Sequence, residues 1–296
     1  MGKTMILMDG LYDLYGLDGK EQGGLLFLPM LGPQWQGSNK LWRGVRKLWL
    51  SSALPGKKMW LGTWTRLVDE VETVILTDYS NTPSVAKLIH GHNPNIRIIV
   101  WYHNPVEVTV PIESFDRSYC ELWSFDPNDC ERYGLAYNPQ FYIPSASPGN
   151  SDPSIDAFYV GAEKGRGDVL REMKRALSDM GLRCEFDIVG VNAKHMPYAD
   201  VLSKIAHSKV VVDCLSPWQS GMTLRPLEAM FYSKKLITNQ FTIKDMDFYR
   251  FQNIYVWGAD DPGRLKDFME SPIVDVPETI KRSYGLDGWV ERFGGR

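Results

Sequence analysis

Two short runs in the second half of the chain combine glycine, hydroxyl and cationic side chains in a way that suits a phosphate group. The first is Val160-Gly161-Ala162-Glu163-Lys164-Gly165-Arg166-Gly167-Asp168, between an apolar run and a helical pattern. Its glycines allow close backbone approach, and the start of the following helix favours an anion. Lys164 and Arg166 add charge suited to a diphosphate, and Asp168 is placed as the helix N-cap. An ordinary strand-to-helix turn with solvated charges accounts for the same residues, and the spacing is neither GxGxxG nor a Walker loop. The second run extends from Ser216 to Met230. Ser220, Gly221, Met222 and Thr223 precede a helical pattern and are positioned to offer amides and hydroxyls to a phosphate. Glu228 follows among Leu227, Ala229 and Met230, where a carboxylate needs a partner. The hydroxyls of a ribose satisfy that need, and so does a salt bridge to Arg225 or Lys234.

In the first half, His103-Asn104 directly follows the strand pattern Arg97–Tyr102, and Asp78 ends the pattern Thr73–Thr77. Either His103 or Asp78 has the chemistry of a general base toward a hydroxyl, although a histidine at a strand end also serves purely structural roles. Asp9-Gly10 closes the first strand pattern, where glycine permits a substrate to approach, and Asp13 is a further acid. His90, His92, His195 and His207 lack metal-ligand spacing and read as surface or capping residues.

Leu227-Glu228-Ala229-Met230, followed after four residues by Lys235-Leu236-Ile237-Thr238, resembles the nucleotide-sugar motif of GT-B-fold glycosyltransferases. Lys164-Gly165 resembles the phosphate-binding "KG" turn of the same enzymes. The runs Gln219–Asn239, Trp123–Tyr142 and Asp247–Val256 are similar to bacterial capsule and lipopolysaccharide biosynthesis transferases. The resemblance covers most of the second half and thins out in the first. It implies that Gly161, Lys164, Arg166, Ser220, Gly221, Met222, Thr223 and Glu228 bind the donor, with Glu228 on its ribose. It places the acceptor side in the first half, where the strand-end residues His103, Asp78, Asp9, Gly10 and Asn104 are the candidates. The donor is then a UDP- or GDP-sugar, with no further cofactor and no metal, because Lys, Arg and helix dipoles stabilise the leaving diphosphate in that family. Two departures stand out. Ser220 occupies the position eight before Glu228, where many retaining members carry a second glutamate. Ala162 stands where an arginine often precedes the "KG" turn, a role open to Arg166.

The elements that must position these residues alternate between strand and helix. Strands are predicted at Thr4–Met8, Thr73–Thr77, Arg97–Tyr102, Leu122–Phe125 and Gln140–Ile143, with helices at Asn39–Leu50, Leu61–Asp69, Pro83–His90 and Pro127–Tyr133. Ser145–Pro153 is the densest cluster of turn formers and reads as a linker. The pattern then restarts with strands Ala157–Val160, Cys184–Val189, Lys209–Asp213, Lys235–Thr238 and Asn253–Val256. Helices Asp168–Met180, Tyr198–His207, Leu224–Tyr232 and Pro262–Met269 lie among them, and Glu278–Phe293 reads as a helical tail. Such alternation predicts parallel βαβ units with right-handed crossovers. The expected fold class is α/β and GT-B-like: Rossmann-like domains over residues 1–150 and 151–296 facing each other across a cleft. Ligands are expected at the carboxyl ends of the strands.

Composition narrows the remaining classes. The 296 residues are 44% hydrophobic and 23% charged with net charge −3, ordinary globular values that argue against disorder and coiled coil. No apolar stretch is long enough to span a bilayer, the N-terminus does not read as a signal peptide, and Cys120, Cys130, Cys184 and Cys214 form no CxxC pair. These features predict a cytoplasmic protein. Between Gln22 and Val68 there is no acid, while Lys40, Arg43, Arg46, Lys47, Lys57, Lys58 and Arg66 are all basic. The helix Asn39–Leu50 places Trp42, Val45, Leu48 and Trp49 on one stripe, as in a helix lying on an anionic membrane surface or in a core helix with a solvated basic face. The negative net charge and the lack of a recognition motif predict no nucleic-acid partner. The function expected is transfer of a sugar from a nucleotide sugar to a hydroxyl of a surface glycan or lipid-linked acceptor. The rivals are a nucleotide-sugar epimerase or hydrolase, and a homologue that binds donor or partner without turnover.

Overall fold

The computed structural model describes residues 3–8, 21–36, 39–144, 153–190 and 196–294. Asp9, Gly10, Asp13, His195 and the linker run except Pro153 lie outside the described residues. The chain divides into Met1–Asn138 and Pro139–Arg296.

The first unit is built on β1 (Thr4–Leu7), β2 (Glu21–Gln22), β3 (Leu25–Leu28), β4 (Thr73–Thr77), β5 (Arg97–Tyr102), β6 (Cys120–Ser124) and β7 (Ala136–Tyr137). Their order across the sheet is β2-β3-β1-β4-β5-β6-β7, parallel throughout except for β2 on β3. β1, β3, β4 and β5 are near-continuous apolar runs because a parallel sheet is covered on both faces. Helices α1 (Lys40–Ser51), α2 (Thr82–His92) and α3 (Pro127–Tyr133) accompany the sheet. The predicted helix Leu61–Asp69 is instead a series of short 3₁₀ turns, Lys57–Trp60, Thr63–Arg66 and Val68–Glu70, and the predicted strand Gln140–Ile143 is irregular. β2, β3 and β7 were not anticipated. Gly23 and Gly24, both in the left-handed region, make the turn into β3.

On α1, Val45 and Trp49 pack against the core while Trp42 is 46% exposed, and Trp42 and Trp49 lie 6.3 and 6.4 Å from Trp60, ring to ring. Leu48 leaves the predicted stripe and is 73% exposed, as is Leu41 at 72%. Arg46, expected on the solvated basic face, is buried, with Nη1 donating to the Trp35 carbonyl at 3.2 Å. At about 100° per residue, Arg46 falls within about 60° of both Trp42 and Trp49, whereas Leu48 lies about 160° from Arg46.

The second unit carries β8 (Ile155–Ala162), β9 (Cys184–Val189), β10 (Ser208–Val212), β11 (Lys235–Thr238) and β12 (Ile254–Val256), all parallel in the order β12-β11-β10-β8-β9. The helices are α4 (Gly167–Asp179), α5 (Tyr198–Ala206), α6 (Arg225–Phe231), α7 (Leu265–Glu270), α8 (Glu278–Ser283) and α9 (Leu286–Arg292). Gly181 adopts φ +77° just past α4, the C-terminal glycine expected there. The single tail helix is two, with extended Gly285 at the start of α9. The fold class read from the sequence therefore holds: two Rossmann-like α/β units, each on a predominantly parallel sheet. No helix among the described residues is long and apolar enough to cross a membrane.

At the amino end of β8, Asp156 is buried and accepts from the Arg183 backbone at 2.8 Å and its Nε at 3.1 Å, with Lys209 Nζ at 2.8 Å. Burial pushes its pKa up, but the hydrogen bonds from Arg183 and Lys209 outweigh it and hold the group well below the usual carboxylate range. A depressed folded pKa stabilises the fold above the unfolded value of about 3.9, and the contribution disappears as pH falls through the folded value. Asp156→Asn is expected to cost about 1–3 kcal/mol at pH 7. Urea unfolding at pH 7 and pH 3 should show the gap from wild type shrinking in acid.

Candidate functional site

The strand order of the second unit reverses between β8 and β10, and the crevice at the carboxyl ends of those strands is where open α/β sheets bind ligands. Both glycine-containing runs singled out in the sequence emerge there. After β8 the chain turns through Lys164 at φ +43° and Gly165 at φ +75°. Left-handed backbone at two successive residues is costly for a non-glycine residue and marks a constrained turn. An added Cβ at Gly165 meets Trp218 at 3.6 Å, so the turn rests against the loop that follows β10. Gly165→Ala is expected to cost about 1–2 kcal/mol from the backbone alone, read as a drop in the urea midpoint.

Arg166 ties the first run to the chain just after β10, two residues before the second run. Its Nε donates to the Ala162 carbonyl at 3.1 Å, Nη1 donates to the Cys214 carbonyl, and the guanidinium lies 5.8 Å from the Tyr159 ring centroid. Arg166 is therefore partly committed to holding β8 and β10 together. Lys164 is exposed and forms no ion pair among the described residues, which leaves it as the mobile cation at this turn. A Cβ at Gly161 would lie 2.8 Å from the Tyr159 hydroxyl and 3.0 Å from Arg166 Nη2, so glycine there makes room for the arginine. Asp168 is not the N-cap. The helix begins at Gly167, and Asp168 sits in its first turn, paired with Arg171 at 2.7 Å.

Beyond β10, Asp213 is a buried carboxylate that sequence reading missed. It accepts from Thr223 Oγ1 at 2.9 Å and Thr238 Oγ1 at 3.2 Å. Burial raises its pKa, opposed by the Thr223 and Thr238 hydroxyls and by the charges of Arg166 and Arg225. The aspartate anchors the 216–225 loop through Thr223, whose Oγ1 also accepts the Arg225 amide at 3.1 Å. The Thr223 hydroxyl is thus engaged internally, and the Met222 side chain is buried. Ser220 is half exposed, with its carbonyl accepting from Gln240 at 3.4 Å, and the Gly221 carbonyl accepts from Gln219 Nε2 at 2.9 Å. The sequence signal for Asp213 was present: a lone acid ending an apolar β-branched run.

Glu228 lies on α6 with a side chain that has no exposed surface. Tyr198 OH donates to Oε1 at 2.7 Å, and Arg225 Nη1 pairs with Oε2. Burial works to lower the Arg225 pKa, but the Glu228 charge and hydrogen bond more than offset this and raise it. Of the two ion-pair partners open in sequence, the structure uses Arg225, and Lys234 donates to the Ala206 carbonyl at 2.6 Å. A ribose reaches this carboxylate only where Tyr198 or Arg225 gives way.

In the first unit the sheet order reverses between β1 and β4, and Asp78 follows β4 beside His103, which follows β5. His103 Nδ1 pairs with Asp78 Oδ1, which also accepts the His103 backbone amide at 3.1 Å. The Asp78 side chain is fully buried and that of His103 is 16% exposed. His103 and Asp78, alternatives in the sequence reading, are thus one pair, with the carboxylate set against Nδ1 of the imidazole. Asn104, the next residue, is partly exposed. Of the other histidines, His92 pairs with Asp69 at 2.9 Å, and His207 Nδ1 lies 2.7 Å from the Ser203 carbonyl. His90 is not a plain surface residue: it stacks on Tyr119 at 4.1 Å.

No family model matches this chain, and no curated protein matches it in sequence. Among solved structures it is similar to an alpha-glucosyltransferase in complex with UDP-glucose and DNA containing an abasic site. That match has TM-score 0.45 and 12% identity over 92% of this chain and 80% of the other. It is also similar to the DNA-modifying enzyme beta-glucosyltransferase, described with and without uridine diphosphoglucose. Here the TM-score is 0.40 and the identity 13%, over 77% of this chain and 79% of the other. Both are glucosyltransferases; the two-sheet architecture stands on the strand order itself.

The first of these complexes corrects one expectation. Nucleic acid was excluded as a partner from net charge and the absence of a motif, and that exclusion does not stand beside a similar chain bound to DNA. A net charge of −3 averages over the whole sequence and hides the acid-free run from Gln22 to Val68.

Proposed function

We propose that this protein is a glycosyltransferase using a nucleotide-sugar donor, with donor binding in the second unit and proton abstraction from the acceptor hydroxyl in the first. The observation that carries the reading is the convergence, at the β8/β10 reversal, of the Gly161–Gly167 turn and the Ser216–Arg225 loop, with Gly165 against Trp218 and Arg166 bonded to the Cys214 carbonyl just before that loop. In this reading Lys164 and the remaining donors of Arg166 hold the diphosphate beside residues 220–223, and Glu228 serves the ribose. The His103–Asp78 dyad takes the proton as the glycosidic bond forms. Catalysis is then positioning plus stabilisation of the leaving diphosphate by Lys164, Arg166 and backbone amides, without a metal.

The test is a thermal-shift screen of nucleoside diphosphates and nucleotide sugars on the full chain, with Lys164→Ala alongside. One nucleotide family should stabilise the wild type by several degrees and the variant by clearly less. Labelled sugar is then followed to an oligosaccharide, a lipid-linked saccharide, duplex DNA or water, with and without chelator. Transfer that survives the chelator is expected. Free sugar alone would indicate a hydrolase, and no response to any nucleotide would overturn the reading.

A further inference from the structure

The first unit contains a cavity of about 1190 Å³ that the proposed chemistry does not use. It follows one face of α2 from Pro83 and Ser84 through Lys87 and Leu88 to Gly91, a stripe with helical spacing about 12 Å long. Its other walls are the 50–68 segment and the 113–119 segment. The latter two lead into β4 and β6, so much of the wall lies toward the amino ends of the strands, and neither His103 nor Asp78 lines it.

The lining has two chemistries. Leu61, Trp64, Val68, Ile89 and Phe115 are buried apolar side chains. Lys57, Lys58 and Lys87 also line the cavity, and none of them forms an ion pair among the described residues. Two acids, Glu113 and Asp116, face the same space, but Asp116 accepts the Ser118 amide at 2.9 Å. His90 adds a polar atom: its ring is stacked on Tyr119, and its Nδ1 is buried with no hydrogen-bond partner among the described residues. A buried polar nitrogen without a partner, in the wall of a cavity, is a group awaiting one. The chain beside the lysines is itself greasy. Leu54, just after lining residue Ala53, is 48% exposed, and Met59, just after Lys58, is 52% exposed.

We propose that this cavity binds a single-chain anionic amphiphile. Its alkyl tail lies along α2 over the apolar floor, and its phosphate or carboxylate head meets Lys57, Lys58 and Lys87. Apolar walls alone accept any hydrophobe, and lysines alone accept any anion; their juxtaposition selects a molecule carrying both. The inference is independent of the donor-site reading, since it rests on other residues and needs no turnover.

Calorimetric titration of the full chain with decyl and dodecyl phosphate, below their micelle-forming concentrations, tests it. Saturable binding of one molecule per chain is expected, about fifteenfold tighter for the longer tail, because each of its two extra buried methylenes is worth roughly fourfold. Lys57→Glu/Lys58→Glu should weaken dodecyl phosphate at least tenfold with an unchanged melting temperature, since neither lysine is buried and neither forms an ion pair among the described residues. Leu88→Glu should remove the chain-length dependence. Co-sedimentation with phosphatidylglycerol vesicles, reversed by dodecyl phosphate, would place the amphiphile's source in a bilayer; saturable binding without vesicle association would make it a soluble one. Equal affinity for both tails, equal competition by inorganic phosphate or a short DNA duplex, or no saturable binding would overturn the proposal.

Discussion

Replacing His103 by alanine is expected to lower turnover of sugar transfer by about 10²–10⁴ while leaving nucleotide binding unchanged. The geometry explains both halves of the result. His103 follows β5 and Asp78 follows β4, so the paired strands hold the imidazole and the carboxylate side by side. The Asp78 oxygen facing Nδ1 also accepts the His103 backbone amide, which ties the ring to the strand end. Tyr79 and Trp101 flank it with ring centroids at 5.5 and 6.2 Å. In the proposed transferase, an imidazole so held carries its proton on Nδ1 toward Asp78 and offers Nε2 to the acceptor hydroxyl. Asp78→Asn preserves volume but removes the charge that stabilises the imidazolium, so a loss of similar order is expected, in kcat more than in KM. The donor contacts proposed here belong to the other unit, so the thermal shift given by a nucleotide should survive both changes. A His103→Ala variant that keeps transfer within fivefold of wild type would make the dyad a structural pair.

The sequence was legible wherever one short-range signal decided the outcome. β4, β5, β9, β11 and α3 fall at the predicted bounds because an apolar run or a Pro-led cap marks each. β3 escaped because Leu25–Leu28 lacks β-branched residues and follows a two-glycine turn. Leu61–Asp69 shows helical spacing, yet it runs as short 3₁₀ turns: Trp60 and Trp64 are buried in the core, and Trp64 Nε1 donates to the Met30 carbonyl at 2.9 Å. Candidate site residues were legible as types at strand ends. Their pairings were not, because those depend on strand order. Asp78 and His103 are 25 residues apart and meet only because β4 and β5 are neighbours. Arg166 and Cys214 meet only because β8 and β10 are. Asp213 was overlooked because its partners Thr223 and Thr238 come from a loop and a different strand.

Glu228→Ala is expected to destabilise the protein by about 3–5 kcal/mol, because it leaves the Arg225 guanidinium largely buried without its counter-charge. Arg225 is 19% exposed, and its partner is fully enclosed, so water replaces little of the lost interaction. Tyr198 loses its acceptor in the same step, adding about 0.5–1.5 kcal/mol for one hydrogen bond. Removing both charges costs far less than removing one: Arg225→Met/Glu228→Met should recover most of the loss, and a double-mutant cycle by urea unfolding measures the coupling. That cycle also decides what Glu228 does beyond holding α6. Loss of nucleotide binding in the single Glu228→Ala variant is ambiguous, because a destabilised second unit binds poorly whatever the carboxylate contacts. In the double variant, restored stability with no nucleotide response would assign Glu228 to the ribose, whereas a retained response would make the Tyr198–Glu228–Arg225 cluster wholly structural. Tyr198→Phe sharpens the comparison. It costs one hydrogen bond but frees a carboxylate oxygen, so nucleotide affinity should hold or rise if the ribose takes the place of the phenol.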